Sequence, residues 1–278
     1  MTPGAASRRL AGRRRKPYDR VDGTRNDRDV EEAMSEQPLR GPDRFFFGTR
    51  ILPCPYLPGR RERKVVTDLT GTGAAELYER MSRAGFRRSH GLAYRPACPD
   101  CSACIPIRIR TAGFEMTRSI RRVVRANADL AAEDLSAIAT VEQYRLFARY
   151  QRSRHGGGDM SSMTFHDYRS MVEDTPVDTR SIEFRTADGA LAGVMLADRL
   201  GDSLSAVYSF FEPEESRRSL GTYMVYWLVK KAAETGLRHV YLGYWIEECA
   251  KMSYKVRFRP VEILGPGGWR EHRPNGAE

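Results

Sequence analysis

Histidine is scarce in this sequence. There are five in 278 residues, and none falls in a Ser-His-Asp pattern, which argues against a hydrolytic triad. Long apolar runs are also missing: none approaches the roughly 20 residues that span a bilayer. The first 30 residues carry many arginines but no apolar core of the secretory kind. These absences predict a soluble cytoplasmic protein with no membrane partner. There is no internal repeat. Cysteine is sparse and odd in number, at Cys54, Cys98, Cys101, Cys104 and Cys249. Three of the five stand at a spacing of three, too close to bridge one another, so a disulfide framework is not expected.

What is present is a globular composition with a basic balance. Apolar residues make up 41% and the formal net charge is +10. Such a charge favours polyanion partners, nucleic acid included, through long-range attraction and counterion release; a solvated basic surface accounts for it equally well.

Residues 1–42 read as a disordered basic tail, rich in Arg, Asp, Gly and Pro. The run Arg13-Arg14-Arg15-Lys16 is either a solvated segment or an RNA-binding arm. A start of synthesis near Met34 is a third reading, and would leave that run outside the natural protein. Residues 43–135 form a first unit. Leu77, Met81 and Ala84 step along one helical face, with Gly85 as the cap. Residues 86–96 read as a hairpin about His90-Gly91. Ile105, Ile107 and Ile109 alternate with Pro106, Arg108 and Arg110, a strand with one basic face.

Residues 136–268 form a second unit, followed by a tail at 269–278. Thr140 and Gln143 make a capping box for a helix running toward His155, and the glycines at 156–158 form a flexible connector. Three strands follow at 181–186, 191–199 and 204–211, joined by Asp188-Gly189 and Gly201-Asp202. Leu220, Tyr223, Met224, Trp227 and Leu228 then draw an apolar helical stripe that Gly236 ends. Residues 240–244 read as a buried strand. Helix, three antiparallel strands, helix, strand predicts an α+β sheet with helices packed on it. This order resembles the core of the GNAT acyltransferases.

GNAT enzymes cradle a pyrophosphate at a helix start with Arg/Gln-x-x-Gly-x-Gly/Ala, where backbone N–H groups and the helix dipole meet the anion. The corresponding run is Arg218-Ser219-Leu220-Gly221-Thr222-Tyr223. Tyr223 replaces the last small residue and is expected to obstruct a pyrophosphate, so the reading is a GNAT-like fold with a different acyl donor. An ordinary helix N-terminus is the alternative.

Cys98, Cys101 and Cys104 supply three thiolates within seven residues, and Cys54 is the candidate fourth ligand of a tetrahedral metal. Four thiolates suit Zn²⁺ and an iron–sulfur cluster alike; reduced core cysteines are the alternative. Cys249 reads as a small buried residue.

Several ordered runs resemble the arginyl-tRNA–protein transferase family, in its bacterial aspartate/glutamate leucyltransferase branch. They are Cys54-Pro55-Tyr56-Leu57-Pro58-Gly59, Tyr94-Arg95-Pro96 leading into the cysteines, and Arg118-Ser119 with Arg121-Arg122. Tyr208-Ser209-Phe210-Phe211 and Ser219-Leu220-Gly221 follow. The last is the long run 241–255, Tyr241-Leu242-Gly243-Tyr244-Trp245-Ile246 through Lys251-Met252-Ser253-Tyr254-Lys255. The resemblance covers residues 43–264. It implies a GNAT-like C-terminal domain behind a smaller α+β N-terminal domain that carries the cysteines. It also implies an activity: leucine moves from leucyl-tRNA to the α-amine of proteins beginning with Asp or Glu and marks them for degradation through an N-degron. Arginyl-tRNA as donor, or an acetyl-CoA-dependent GNAT activity, are the alternatives.

The chemistry is compatible with these residues. The donor ester is already activated, and an α-amine of pKa about 7.7–8.0 is partly neutral at physiological pH. Positioning alone can contribute roughly 7–11 kcal/mol, so no cofactor is required. The candidate catalytic residues are Tyr244, Glu247, Lys251, Tyr254 and Lys255. Lys251 and Lys255 are expected on one helical face, facing tRNA phosphate or the developing charge, and Glu247 is a candidate base. Arg95, Arg118, Arg121 and Arg122 are candidates for holding the acceptor's carboxylate, and Arg218 and Gly221 for holding the donor.

Overall fold

A computed structural model describes residues 45–154 and 159–273. The basic tail, Met34, His155 and the glycine connector fall outside the described residues. In chain order the elements are β1 Phe47–Gly48, β2 Leu52–Pro53, β3 Arg61–Glu62, β4 Lys64–Asp68, α1 Ala74–Arg83, β5 Arg87–Ser89, β6 Leu92–Pro96 and β7 Ile105–Arg110. Then come α2 Arg118–Ala126, β8 Ala131–Ser136, α3 Val141–Arg154, α4 Phe165–Glu173, β9 Thr179–Arg185, β10 Leu191–Arg199 and β11 Ser203–Phe211. The last are α5 Leu220–Glu234, β12 His239–Trp245, a 3₁₀ helix at Ala250–Arg257, β13 Val261–Gly265 and β14 Gly268–Glu271.

Local chemistry sets the ends of these elements. Gly85 follows α1 at φ 85°, and the bonds Gly85 N–H to Ser82 O and Phe86 N–H to Met81 O close a Schellman motif. Gly236 does the same for α5 at φ 72°. The capping box at α3 is formed: Thr140 Oγ1 accepts from Gln143 N–H, and Gln143 Oε1 from Thr140 N–H. α4 has a second box, Thr164 with Asp167.

The main sheet has eight strands in the order β14-β13-β7-β12-β11-β10-β9-β8. Only β11 and β12 run parallel, joined by α5 as the crossover. β10 alternates between two cores. Ala192, Met195 and Ala197 join the cluster of α5 residues Met224, Leu228 and Val229. Leu191, Val194 and Leu196 join Leu146, Phe147 and Tyr168 of α3 and α4. The fold is α+β, with helices on both faces and the predicted GNAT-like order in the C-terminal half. A second sheet, β1-β4-β6-β5, lies with α1 on a third cluster that includes Leu200 and Tyr241.

The two halves of the chain share the main sheet. β7 lies between β12 and β13, and β8 pairs with β9. Residues 269–271, read as tail, instead form edge strand β14, because Trp269 packs on Tyr241 and under Arg108. The basic face of β7 is ion-paired, Arg108 to Glu262 and Arg110 to Glu271.

Candidate active site

Strands β11 and β12 are parallel neighbours for three residue pairs only, ending at Ser205 and Tyr241. Beyond that point the strands fork, and each leaves backbone carbonyls without a ladder partner. Two cations take them up, half-buried Arg87 and buried Lys255. Arg87 Nη2 donates to Ala206 O at 2.8 Å and Val207 O at 2.9 Å on β11. Lys255 Nζ donates to Leu242 O at 2.9 Å and Tyr244 O at 2.5 Å on β12.

Gly243, in this stretch of β12, sits at φ 74°, where the pairing with β7 slips between Tyr241 and Tyr244. A Cβ there would stand 1.9 Å from Arg87 Nη1, so the missing side chain is what admits the guanidinium. Burial pushes the Lys255 ammonium down to about 7, with the Arg87 charge adding to the effect. No carboxylate lies within ion-pair distance of either cation among the described residues.

A cavity opens on each side of this fork. One, of about 430 Å³, lies at the N-terminus of α5 and is lined by Tyr150, Phe211, Leu220, Gly221, Lys251 and Tyr254, with Glu215 among the rest. Gly221 has a packing reason to be glycine, since a Cβ would meet the Phe211 ring at 3.0 Å. Burial raises the Tyr254 hydroxyl to about 12, against the opposing pull of Arg87. The other cavity, of about 230 Å³, is walled by Cys54, Tyr56, Tyr94, Cys98, Cys101, Cys104 and Tyr244. Arg87 lines neither cavity itself, but it is within electrostatic reach of Tyr56, Tyr94 and Tyr244 on one side and of Tyr254 on the other.

The sequence-predicted residues separate into groups. Lys255, Tyr254, Lys251 and Gly221 are brought together at the fork and the α5 cavity. Lys251 and Lys255 do not share a face: residues 250–257 are a 3₁₀ helix, whose three-residue turn sets positions four apart on different sides. Lys251 is exposed and Lys255 buried. Tyr244 lines the cysteine cavity with its ring, but its hydroxyl donates to Gly85 O at 2.9 Å and Tyr94 O at 3.1 Å. That hydroxyl ties the two sheets together. Glu247 is exposed and lines neither cavity.

The arginines divide as well. Arg95 is exposed, at the rim of the cysteine cavity, and donates to Ala84 O. Arg118, Arg121 and Arg122, joined by Arg125, form an exposed row at i, i+3, i+4 and i+7 of α2. Arg218 is engaged structurally, held by Asn127 and Asp129 after α2. Tyr223 is turned into the core against Phe184 and Tyr226 rather than over the helix start. It does not obstruct that site, contrary to expectation, because position 223 belongs to the inward stripe of α5.

The four cysteines gather on one cavity. Burial, then the neighbouring sulfurs of Cys98, Cys54 and Cys101, push the Cys104 thiol up to about 12. Yet among the described residues no three His, Cys, Asp or Glu side chains are set as a metal ion requires. As arranged, the donor set does not fit a metal. Cys249 is buried, as expected. Sequence reasoning missed Arg87, which is one of a doublet among 46 Lys and Arg residues and carries no local signal.

A forked parallel strand pair behind a crossover helix, with a cavity at the helix start, is the arrangement expected from the GNAT-like order of elements. The description "Arginine-tRNA-protein transferase, N terminus" matches residues 52–122, and its C-terminal counterpart residues 142–265. Aspartate/glutamate leucyltransferase of Paramagnetospirillum magneticum is 59% identical over 241 residues, 87% of this chain and 98% of that protein. The protein of the same name from Rhodospirillum rubrum is 55% identical, covering 85% and 96%. Among solved structures, FemX superposes with a TM-score of 0.42 at 10% identity, covering 68% of this chain and 65% of that one. The chain belongs to the arginine-tRNA–protein transferase family, and is an aminoacyl-tRNA–protein transferase.

Proposed function

We propose that the chain moves leucine from leucyl-tRNA to the α-amine of proteins that begin with Asp or Glu, so that the added leucine marks them for degradation. The observation that carries the leucyl reading is the α5 cavity. Its walls are apolar at Tyr150, Phe211 and Leu220, and its one carboxylate, Glu215, is exposed. A pocket for an arginyl side chain needs a buried carboxylate; a leucyl side chain needs apolar walls. The names of the relatives support the same donor and the same acidic acceptors.

In this reading the neutral amine attacks the ester carbonyl carbon. A C–N bond forms, the C–O bond to the terminal ribose breaks, and a proton passes from the amine to the departing oxygen. Tyr254 and Lys251 face the donor ester and stabilise the developing oxyanion. Arg118, Arg121, Arg122 and Arg125 of α2 contact tRNA phosphates, not the acceptor, since their exposure gives charge without selectivity. The donor places the reaction in the cytoplasm, and no described helix is long and apolar enough to cross a membrane.

Ester aminolysis calls for no cofactor. Zinc or an iron–sulfur cluster at Cys54, Cys98, Cys101 and Cys104 requires the sulfurs to close in from their present positions, and metal analysis with an optical spectrum decides it.

The reading is tested by incubating an Asp-initiated peptide separately with leucyl-tRNA, arginyl-tRNA and acetyl-CoA and following peptide mass. Addition of leucine alone is expected. Transfer from arginyl-tRNA in preference, or from neither tRNA, overturns it.

A further inference from the structure

We propose that Arg87 is the residue that reads the carboxylate of the acceptor's first side chain. The inference rests on the acidic-acceptor reading above and deepens it. Position is the first argument. Arg87 lies in the fork, on the carbonyls of Ala206 and Val207 and against Gly243, with residues that wall the α5 cavity, where the donor ester would sit, and the cysteine cavity in its electrostatic reach. In this proposal the acceptor enters from the cysteine cavity and brings its first side chain to the fork as its amine reaches the ester.

Orientation is the second. One guanidinium nitrogen is spent on Ala206 O and Val207 O, and the group packs against Gly243. The side chain is thereby locked before any substrate arrives, and a locked guanidinium retains donors for a planar carboxylate. Charge is the third. Arg87 and Lys255 are two cations set into the fork with no carboxylate in ion-pair range among the described residues. The adjacent Arg88, by contrast, is fully paired with Asp198 at 2.7 Å through two bonds. Arg87 is half-buried, so its unpaired charge is partly desolvated yet still open to a ligand, and a substrate carboxylate supplies the missing counter-charge. Arg95 and the α2 row stand in water, where a charge pair discriminates little.

The test compares wild type with Arg87→Lys, using saturating leucyl-tRNA and peptides that differ only at the first residue: Asp against Asn, Glu against Gln. Lysine still donates to the two carbonyls but loses the fork geometry. The expected result is that the Asp/Asn and Glu/Gln ratios of kcat/KM fall on the order of 10²–10³-fold, with leucyl-tRNA affinity within twofold of wild type. Ratios that survive the substitution overturn the proposal, as does a leucyl-tRNA affinity that falls in step with them.

Should the variant not fold, an Asp-initiated peptide with a diazirine at its second residue is cross-linked to wild type. Labels around Tyr56, Tyr94 or Tyr254 support the assignment, and labels confined to α2 defeat it. Failure of wild type to transfer leucine to any peptide would instead count against the proposed function.

Discussion

Arg87 and Arg88 are neighbours on one strand and point to opposite faces, as alternate strand residues must. One is spent on the fork and the other on the core. The Arg88–Asp198 pair is buried and shares Asp198 with Thr179. Replacing Arg88 with Met leaves the carboxylate uncompensated and should destabilise the protein by about 3–5 kcal/mol. Urea unfolding measures this, and Arg88→Met with Asp198→Leu should recover most of the loss.

Lys255 makes a pH-dependent contribution. Its proton is held in both states below about pH 7, and only in the unfolded chain from there toward the ordinary lysine value of 10.5. Stability therefore gains from this residue as pH rises through that window, by up to about 1.4 kcal/mol per unit. Lys255→Met should flatten that slope. Unfolding free energies at pH 7, 8 and 9 check it, and parallel curves for the two proteins would contradict it.

At the scale of elements, β12 and α2 carry opposite kinds of site. β12 works through its irregularity. Gly243→Ala forces a side chain into a left-handed backbone and onto Arg87. The backbone alone costs about 1–2 kcal/mol, and displacement of the guanidinium should remove most transfer to acidic peptides. Thermal unfolding and peptide kinetics together read both effects. α2 works through regularity, with four arginines on one exposed face. Changing all four to Ala should lower the slope of log affinity for tRNA against log salt by roughly 0.7–0.9 for each phosphate no longer neutralised, with little change in melting temperature. An unchanged slope would remove α2 from the tRNA interface.

Some of these elements were legible in advance. The Schellman glycines, the Thr140–Gln143 box, the 86–96 hairpin, the three strands and α5 each carried a local signal. α4 carried a local signal in Thr164 and Asp167, but no helix is read there from the sequence. α2 carried none, because only Ile120 of its residues is buried, and β8 carried none, because its residues are largely exposed at the sheet edge. The spacing of Lys251 and Lys255 suggested an α-helix where a 3₁₀ turn forms.

For the whole molecule, the position of β7 is decisive. A strand from the N-terminal half lies inside the main sheet, bonded on both sides by strands of the C-terminal half, and the described residues form one compact unit. Calorimetry should therefore show a single unfolding transition. A fragment limited to residues 136–268 lacks β7 and most of β8 and β14, leaves one edge of β12 and both edges of β13 unpaired, and should not fold alone; a cooperative melt from it would contradict this packing.

The succession of α3, three antiparallel strands, α5 and β12, the family and the gathering of Cys54 with Cys98, Cys101 and Cys104 were determined by the sequence itself, because each rests on residue types at short or ordered spacings. The active-site geometry was decided only by the tertiary structure. The run 241–255 marks the site, but its tyrosine and lysines acquire meaning from a fork that opens where β11 and β12 stop pairing. The cation that fills the fork with Lys255 comes from the N-terminal half of the chain. An unpaired carbonyl is a property of two strands together, and no residue pattern along one of them records which distant side chain will satisfy it.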